Sequence, residues 1–203
     1  ESALALAIAA SFIGVWLGVR ALQVAAPATA TDQEVSDAPG AAVLRLYVRA
    51  AGSAVLLLLP PLVLLLCNGL RVRNCDYLAG LGFFLMMPVA SVLCAVALGL
   101  TCALWLRRFA LPVAVLLLVA IGLCSTLFGA LASPAVFAYD PFFGYFPGSL
   151  YDEEVAIGAP FYYARLYHAA WALAALALSA AALVSPGSRP AAPDRPSARL
   201  AGL

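Results

Sequence analysis

An all-α, polytopic transmembrane helix bundle of five spans is the fold class this sequence predicts, and three observations predict it. Hydrophobic residues make up 65% of the 203-residue chain and charged ones only 10%, against about 45–50% and about 25% in a soluble domain. The apolar excess is gathered into five long runs separated by short polar breaks. Those runs do not alternate as the ~10-residue strands of a membrane barrel do. They are therefore expected to be helices, the open-ended structure that pairs its own backbone groups where no water reaches them.

The runs cover residues 3–24, 50–67, 77–106, 110–132 and 161–184, each reaching the ~18–25 residues that cross a hydrocarbon core of about 30 Å, the third being longer than one span needs. Together, residues 1–184 form the expected bundle. The first run carries Gly14 and Gly18, a GxxxG pair that lets two helix backbones approach closely. Pro60-Pro61 in the second run and Pro88 in the third each remove a backbone donor, so kinks are expected there, as hinges or as ordinary membrane-helix prolines. Ser125 and Gly129 make a small-xxx-small pair in the fourth run, and the fifth is dense in alanine. These small residues predict contacts within the chain rather than a dimer interface. Residues 185–203, rich in Pro, Ala and Arg, read as a disordered tail or linker.

All eleven basic residues are arginine. The absence of lysine excludes a lysine nucleophile or Schiff base within these residues, and a net charge of +1 gives no reason to expect nucleic acid as a partner. Arginine also orients the bundle. Loop one (25–49) with Arg20 just before it, the tight turn Arg107-Arg108-Phe109, and the tail share one side and hold eight arginines. The other side holds Arg71, Arg73 and Arg165. Basic residues accumulate on the cytoplasmic side, so loop one, loop three and the tail are expected inside. Loops two (68–76) and four (133–160) are then outside, in a membrane expected to be the bacterial inner membrane. Loop one, with Asp32, Glu34 and Asp37 among Ala, Pro and Thr, reads as a flexible connector. The chain opens at Glu1 and its first run lacks a basic flank, so it reads as a fragment of a longer parent with a sixth span.

Loop four is the densest in chemistry. Residues 137–154 combine Tyr139, Phe142, Phe143, Tyr145, Phe146 and Tyr151 with Asp140, Asp152, Glu153 and Glu154. Pro141, Gly144, Pro147 and Gly148 favour successive turns, and the aromatic rings suit the headgroup level. Four readings stand. The carboxylates offer hard oxygen ligands to a divalent cation. The aromatics offer anchors to a membrane or extracytoplasmic protein partner. The loop lines the mouth of a transport path. Or it is an interfacial cap whose acids are solvated or paired with Arg71, Arg73 or Arg165.

Arg165 and His168 lie three residues apart on one helix face. They are either a proton-relay or ligand pair, or an arginine snorkelling to the outer surface beside a histidine bonded to a neighbouring helix. Among the five cysteines, Cys94, Cys102 and Cys124 read as small hydrophobes, and Cys67 and Cys75 flank loop two as a possible disulfide. One histidine excludes HExxH, and neither a P-loop nor GxSxG is present. No catalytic residue, metal site or cofactor is predicted.

Two stretches, 68–76 (NGLRVRNCD) and 136–153 (VFAYDPFFGYFPGSLYDE), resemble segments of uncharacterised bacterial multi-pass membrane regions, some joined to an extracytoplasmic domain of metallopeptidase type. The resemblance implies a membrane module whose chemistry lies elsewhere in the parent chain. The expectation is thus a non-catalytic membrane-anchoring module with a docking loop at Tyr139, Asp140, Phe143, Tyr145, Tyr151 and the acids 152–154. Arg165, Arg71 and Arg73 are the expected counter-charges. A transporter or permease subunit is the alternative, and the almost purely Leu, Val and Ala centres of the runs argue against it.

Overall fold

A computed structural model describes residues 2–28, 39–71, 77–132, 137–147 and 159–184. Seven α-helices carry most of them: α1 (Ser2–Ala28), α2 (Pro39–Leu57), α3 (Leu59–Arg71), α4 (Tyr77–Phe84), α5 (Ala90–Leu106), α6 (Ala110–Ala132) and α7 (Ala159–Val184). Three stretches are long and apolar enough to cross a membrane: Ala5–Val24, Gly40–Arg71 and Gly80–Gly129. Among the described residues the one departure from an all-α fold is a hairpin of two short strands, β1 (Phe137–Asp140) and β2 (Gly144–Pro147), where successive turns were expected.

Helix α5 is the axis of the bundle and touches α1, α2, α6 and α7. Its contact with α1 is the most extensive in the molecule, and its cause is the absence of side chains. A Cβ at Gly18 would collide with the Val96 carbonyl and meet the Leu100 amide at 2.8 Å. A Cβ at Gly99 would collide with the Val15 carbonyl. The GxxxG pair therefore does its expected work within the chain, against a third glycine on α5 that the spacing rule did not single out. Gly14 faces Val92 and Gly18 faces Val96, so α1 and α5 run parallel. Helix α2 runs against both, with Val43 packed at Ala97 and Leu100 and Leu58 in one cluster with Phe84. Helix α7 runs with α5: its Leu176 packs with Ala97 and Leu100, and Ser179 accepts a hydrogen bond from the Trp105 indole at 3.2 Å.

The prolines act where expected. The Pro60-Pro61 pair breaks the second run at Leu58, whose amide turns back to the Val55 carbonyl at 3.0 Å. At Pro88 the chain widens into one π-turn, Leu85–Val89, which accommodates the missing donor by shifting the hydrogen-bond register. The second run is longer than its composition indicated. It begins at Pro39, so Arg45 and Arg49 lie on a helix rather than in a flexible connector, and of the loop between the first two helices residues 29–38 fall outside the described chain. Between α5 and α6 the chain reverses through a 3-10 turn at Arg107–Phe109, with Arg107 at φ 40°. The reversal is tight enough that Cys102, Ala103, Ala110 and Ala114 share one cluster. The Cys67 side chain is exposed; Cys75, and with it the possible Cys67–Cys75 disulfide, lies outside the described residues, as do Arg73 and the tail 185–203.

Glycine contacts this close make a clear prediction. Gly99→Val forces a side chain into the α1 backbone, and overpacking of this kind costs about 1–3 kcal/mol or more. A thermal melt in detergent should fall well below wild type. Gly52→Ala, at a position with open space around it, should leave the melt unchanged or raise it, since alanine is the better helix former by about 1 kcal/mol.

Candidate functional site

The hairpin turns inward. Asp140-Pro141 starts the turn and Gly144 ends it, and Asp140 Oδ1 accepts the amides of Phe142 and Phe143 at 2.7 and 2.8 Å. This is an aspartate folding the turn onto its own side chain. Its tip then enters the helix bundle. The Phe142 carbonyl accepts the Ser11 hydroxyl of α1 at 2.8 Å, and Phe142 is buried in the same cluster as Val15, Ala95 and Leu118. The Phe143 ring lies directly on Gly122 of α6, where a Cβ would overlap it. Ser11 and Gly122 stand about 14 and about 15 Å from the nearer ends of their helices at the helical rise, so the tip reaches well below the rim.

Arg165 holds it there. Its Nη1 donates to the Asp140 carbonyl at 3.1 Å and the Pro141 carbonyl at 3.3 Å, and its guanidinium stacks over the Phe161 ring at 5.1 Å. Arg165 is 7% exposed and Asp140 3%. The expected snorkelling arginine is therefore a buried one, and its partners are main-chain carbonyls rather than a carboxylate. Its Nε and Nη2, Asp140 Oδ2 and His168 Nδ1 are buried without hydrogen-bond partners among the described residues. Burial pushes the Asp140 carboxyl above its ordinary value of 3.8; the Phe143 and Phe142 amides, the Arg165 charge and the Ser125 hydroxyl oppose this without cancelling it.

Beside the tip lies a cavity of about 380 Å³ between α5, α6 and α7. Its walls are apolar except for Ser125, Cys94 and His168, with Phe142 at one side and Trp171 and Tyr167 at another. The Tyr167 ring lies tilted against His168 and edge-on to Trp171, at 6.0 and 6.1 Å between ring centroids.

Of the residues singled out from sequence, Asp140, Phe143, Arg165 and His168 come together here. Asp140 faces inward, so it is not an exposed polar contact. Tyr139 pairs with Tyr145 across the ladder. Arg71 is exposed at the end of α3 and takes no part in holding the tip. Tyr151, Asp152, Glu153 and Glu154 lie outside the described residues. Sequence reasoning missed Ser11 and Gly122, single small residues in apolar runs. It also missed the hairpin, although aromatic segments on either side of Asp-Pro and a nearby Gly carry that signal. No protein-family model, curated protein or solved structure matches the chain.

Two outcomes follow. Arg165→Met removes the donor from two buried carbonyls, at about 1–3 kcal/mol each. Hydrogen exchange at the Phe142 and Phe143 amides should quicken at least tenfold while the α1–α5 amides stay protected; unchanged exchange would mean the tip is held without the arginine. The raised Asp140 pKa means the folded chain binds that proton more tightly than the unfolded chain. The resulting stabilisation is complete below the ordinary carboxylate value and fades as pH rises through the raised one. Asp140→Asn keeps an acceptor for the amides and has no charge to bury. Its melting temperature should stay flat above about pH 4, where wild type declines; parallel declines would assign the effect to other acids.

Proposed function

We propose that this chain is a five-span membrane module without catalysis of its own, closed at its outer end by a re-entrant hairpin and docking a partner through the acidic segment that follows it. The observation that carries the reading is the hairpin tip seated among α1, α6 and α7 on Arg165. Irregular backbone at membrane depth is tolerated where protein rather than lipid surrounds it, and this tip has its carbonyls matched to Ser11 and Arg165. Five crossings are supported by the alternating helix directions. The Gly80–Gly129 stretch, about 75 Å if straight, reverses at Arg107 and supplies two legs, and the 26-residue α7 supplies the last. The arginines at the C-terminal end of α1, the start of α2 and the α5–α6 turn then share the cytoplasmic face, and the hairpin faces outward from a bacterial inner membrane.

With the hairpin anchored at its tip, the segment bearing Tyr151, Asp152, Glu153 and Glu154 leaves from a fixed point. That arrangement suits an outer protein or an outer domain of the same parent, in line with the metallopeptidase-linked membrane regions that two stretches resemble. A second reading, a transporter or permease subunit, is favoured by one observation: the cavity lined by half-buried His168 and lying next to buried Asp140 and Arg165.

Single cysteines at Ser149 and Ser197 in an otherwise cysteine-free variant test the topology in intact cells. Labelling at 149 alone by an impermeant reagent is expected, and labelling at 197 alone would invert the module. Replacing Asp152, Glu153 and Glu154 together by alanine should release an outer partner in pull-downs while the melting temperature holds. A partner retained at wild-type level would leave the transporter reading in its place, to be decided by solute uptake into vesicles.

A further inference from the structure

The cytoplasmic end of the bundle holds a second concavity, of about 330 Å³, between α1 and α2. Its walls are Leu17 and Val24 from one helix and Leu46 from the other, and its polar groups are Arg20, Arg49 and Ser53. The helices run in opposite directions, and Arg20 from α1 and Arg49 from α2 line the same groove. No carboxylate is among these lining residues. Two like charges lining one groove make an anion the favoured occupant between them.

The level of the pair identifies the kind of anion. Residues 50–71 complete the α2–α3 run beyond Arg49 and span about 33 Å at the helical rise, close to the ~30 Å of a hydrocarbon core. Arg49 thus stands at the inner edge of that core. Arg20 lines the same groove, with its guanidinium 5.4 Å from the centre of the ring of Trp16, a residue exposed on the outside of the bundle. Tryptophan and arginine at this depth are headgroup-level anchors. An arginine fork matches phosphate oxygens, and basic pockets between membrane helices on the cytoplasmic side receive acidic headgroups.

We propose that this groove binds the headgroup of an anionic phospholipid of the inner leaflet, its phosphate held between Arg20 and Arg49 and its acyl chain laid along Leu17 and the outer face of α1. A zwitterionic headgroup is the poorer fit, because its ammonium would meet the second guanidinium. The proposal rests on the reading that α1 and α2 cross the membrane.

The test uses the full chain in vesicles of phosphatidylcholine with and without phosphatidylglycerol. Phosphatidylglycerol should raise the melting temperature of wild type, and Arg20→Gln/Arg49→Gln should abolish that gain while melting as wild type does in phosphatidylcholine alone. Apparent affinity should fall about five-fold for each arginine removed. Arg107→Gln/Arg108→Gln, at the same end but outside the groove, should keep the gain. Loss of the gain in that control instead would reduce the effect to general surface charge and overturn the site. So would an equal gain from inorganic phosphate in the phosphatidylcholine sample. If the acids Asp32, Glu34 and Asp37 of the connector filled the groove, neutralising them would lower the melting temperature in both lipids and phosphatidylglycerol would make no difference, which also overturns it. A chain that resists alkaline extraction from the vesicles but ignores phosphatidylglycerol loses the headgroup site and keeps its spans; a chain stripped by alkali loses the spans themselves.

Discussion

The close backbone approach of α1 and α5 is the constraint on which the rest of the bundle depends. In lipid there is little hydrophobic gain from bringing two helices together, so packing contacts and small residues must supply the attraction. Gly18 and Gly99 remove the side chains that would hold the axes apart. Once α1 lies on α5, the remaining helices find surfaces already formed. Ala50, Ala54 and Leu58 of the α2 region pack onto Val92 and Val96, and Ala110, Ala114 and Leu118 of α6 complete the cluster around Val15 and Ala95. The Tyr47 hydroxyl reaches the Leu93 carbonyl at 3.4 Å, a further tie between α2 and the axis.

That arrangement leaves an opening at the end opposite the arginine-rich turn, and the hairpin fills it. Polar groups are costly away from water, and here they are admitted in matched sets: Asp140 takes two amides, Ser11 gives to one carbonyl, and Arg165 gives to two more. Among the described residues the matching is incomplete, since one edge of the guanidinium, one carboxylate oxygen and one imidazole nitrogen find no partner there. Buried polar groups left in that condition beside a cavity call for a further partner such as an ordered water or an ion.

Much of this was legible in the amino-acid order. Apolar length gave the helices, because a helix that crosses lipid needs little beyond about 20 apolar residues. Pro60-Pro61 and Pro88 announced their distortions, since a missing donor cannot be hidden in a helix. Gly14 and Gly18 announced a close contact. The limits were equally physical. Arg45 and Arg49 look like loop residues by polarity, yet a helix that emerges from lipid can continue into water. Arg165 sits so near the start of its run that escape to the surface looked cheapest. What keeps it inside is the pair of carbonyls brought to it by a turn more than twenty residues earlier, and no local pattern records such a meeting. Gly122 shows the same limit, because its missing side chain matters only once Phe143 arrives.

The hairpin's attachments also impose an order on biosynthesis. Ser11 precedes its partner carbonyl by 131 positions, and Arg165 follows the Asp140 carbonyl by 25. While the ribosome is still making α7, the tip has its first-helix partner available but not its last. Two of its carbonyls would enter the bundle with no donor to meet them, so water is the better solvent for the tip at that stage. Only after α7 has emerged and packed beside α5 does inward movement become favourable. Seating the hairpin is therefore a closing step of assembly, one that joins the earliest and latest helices of the chain and reports that both have arrived.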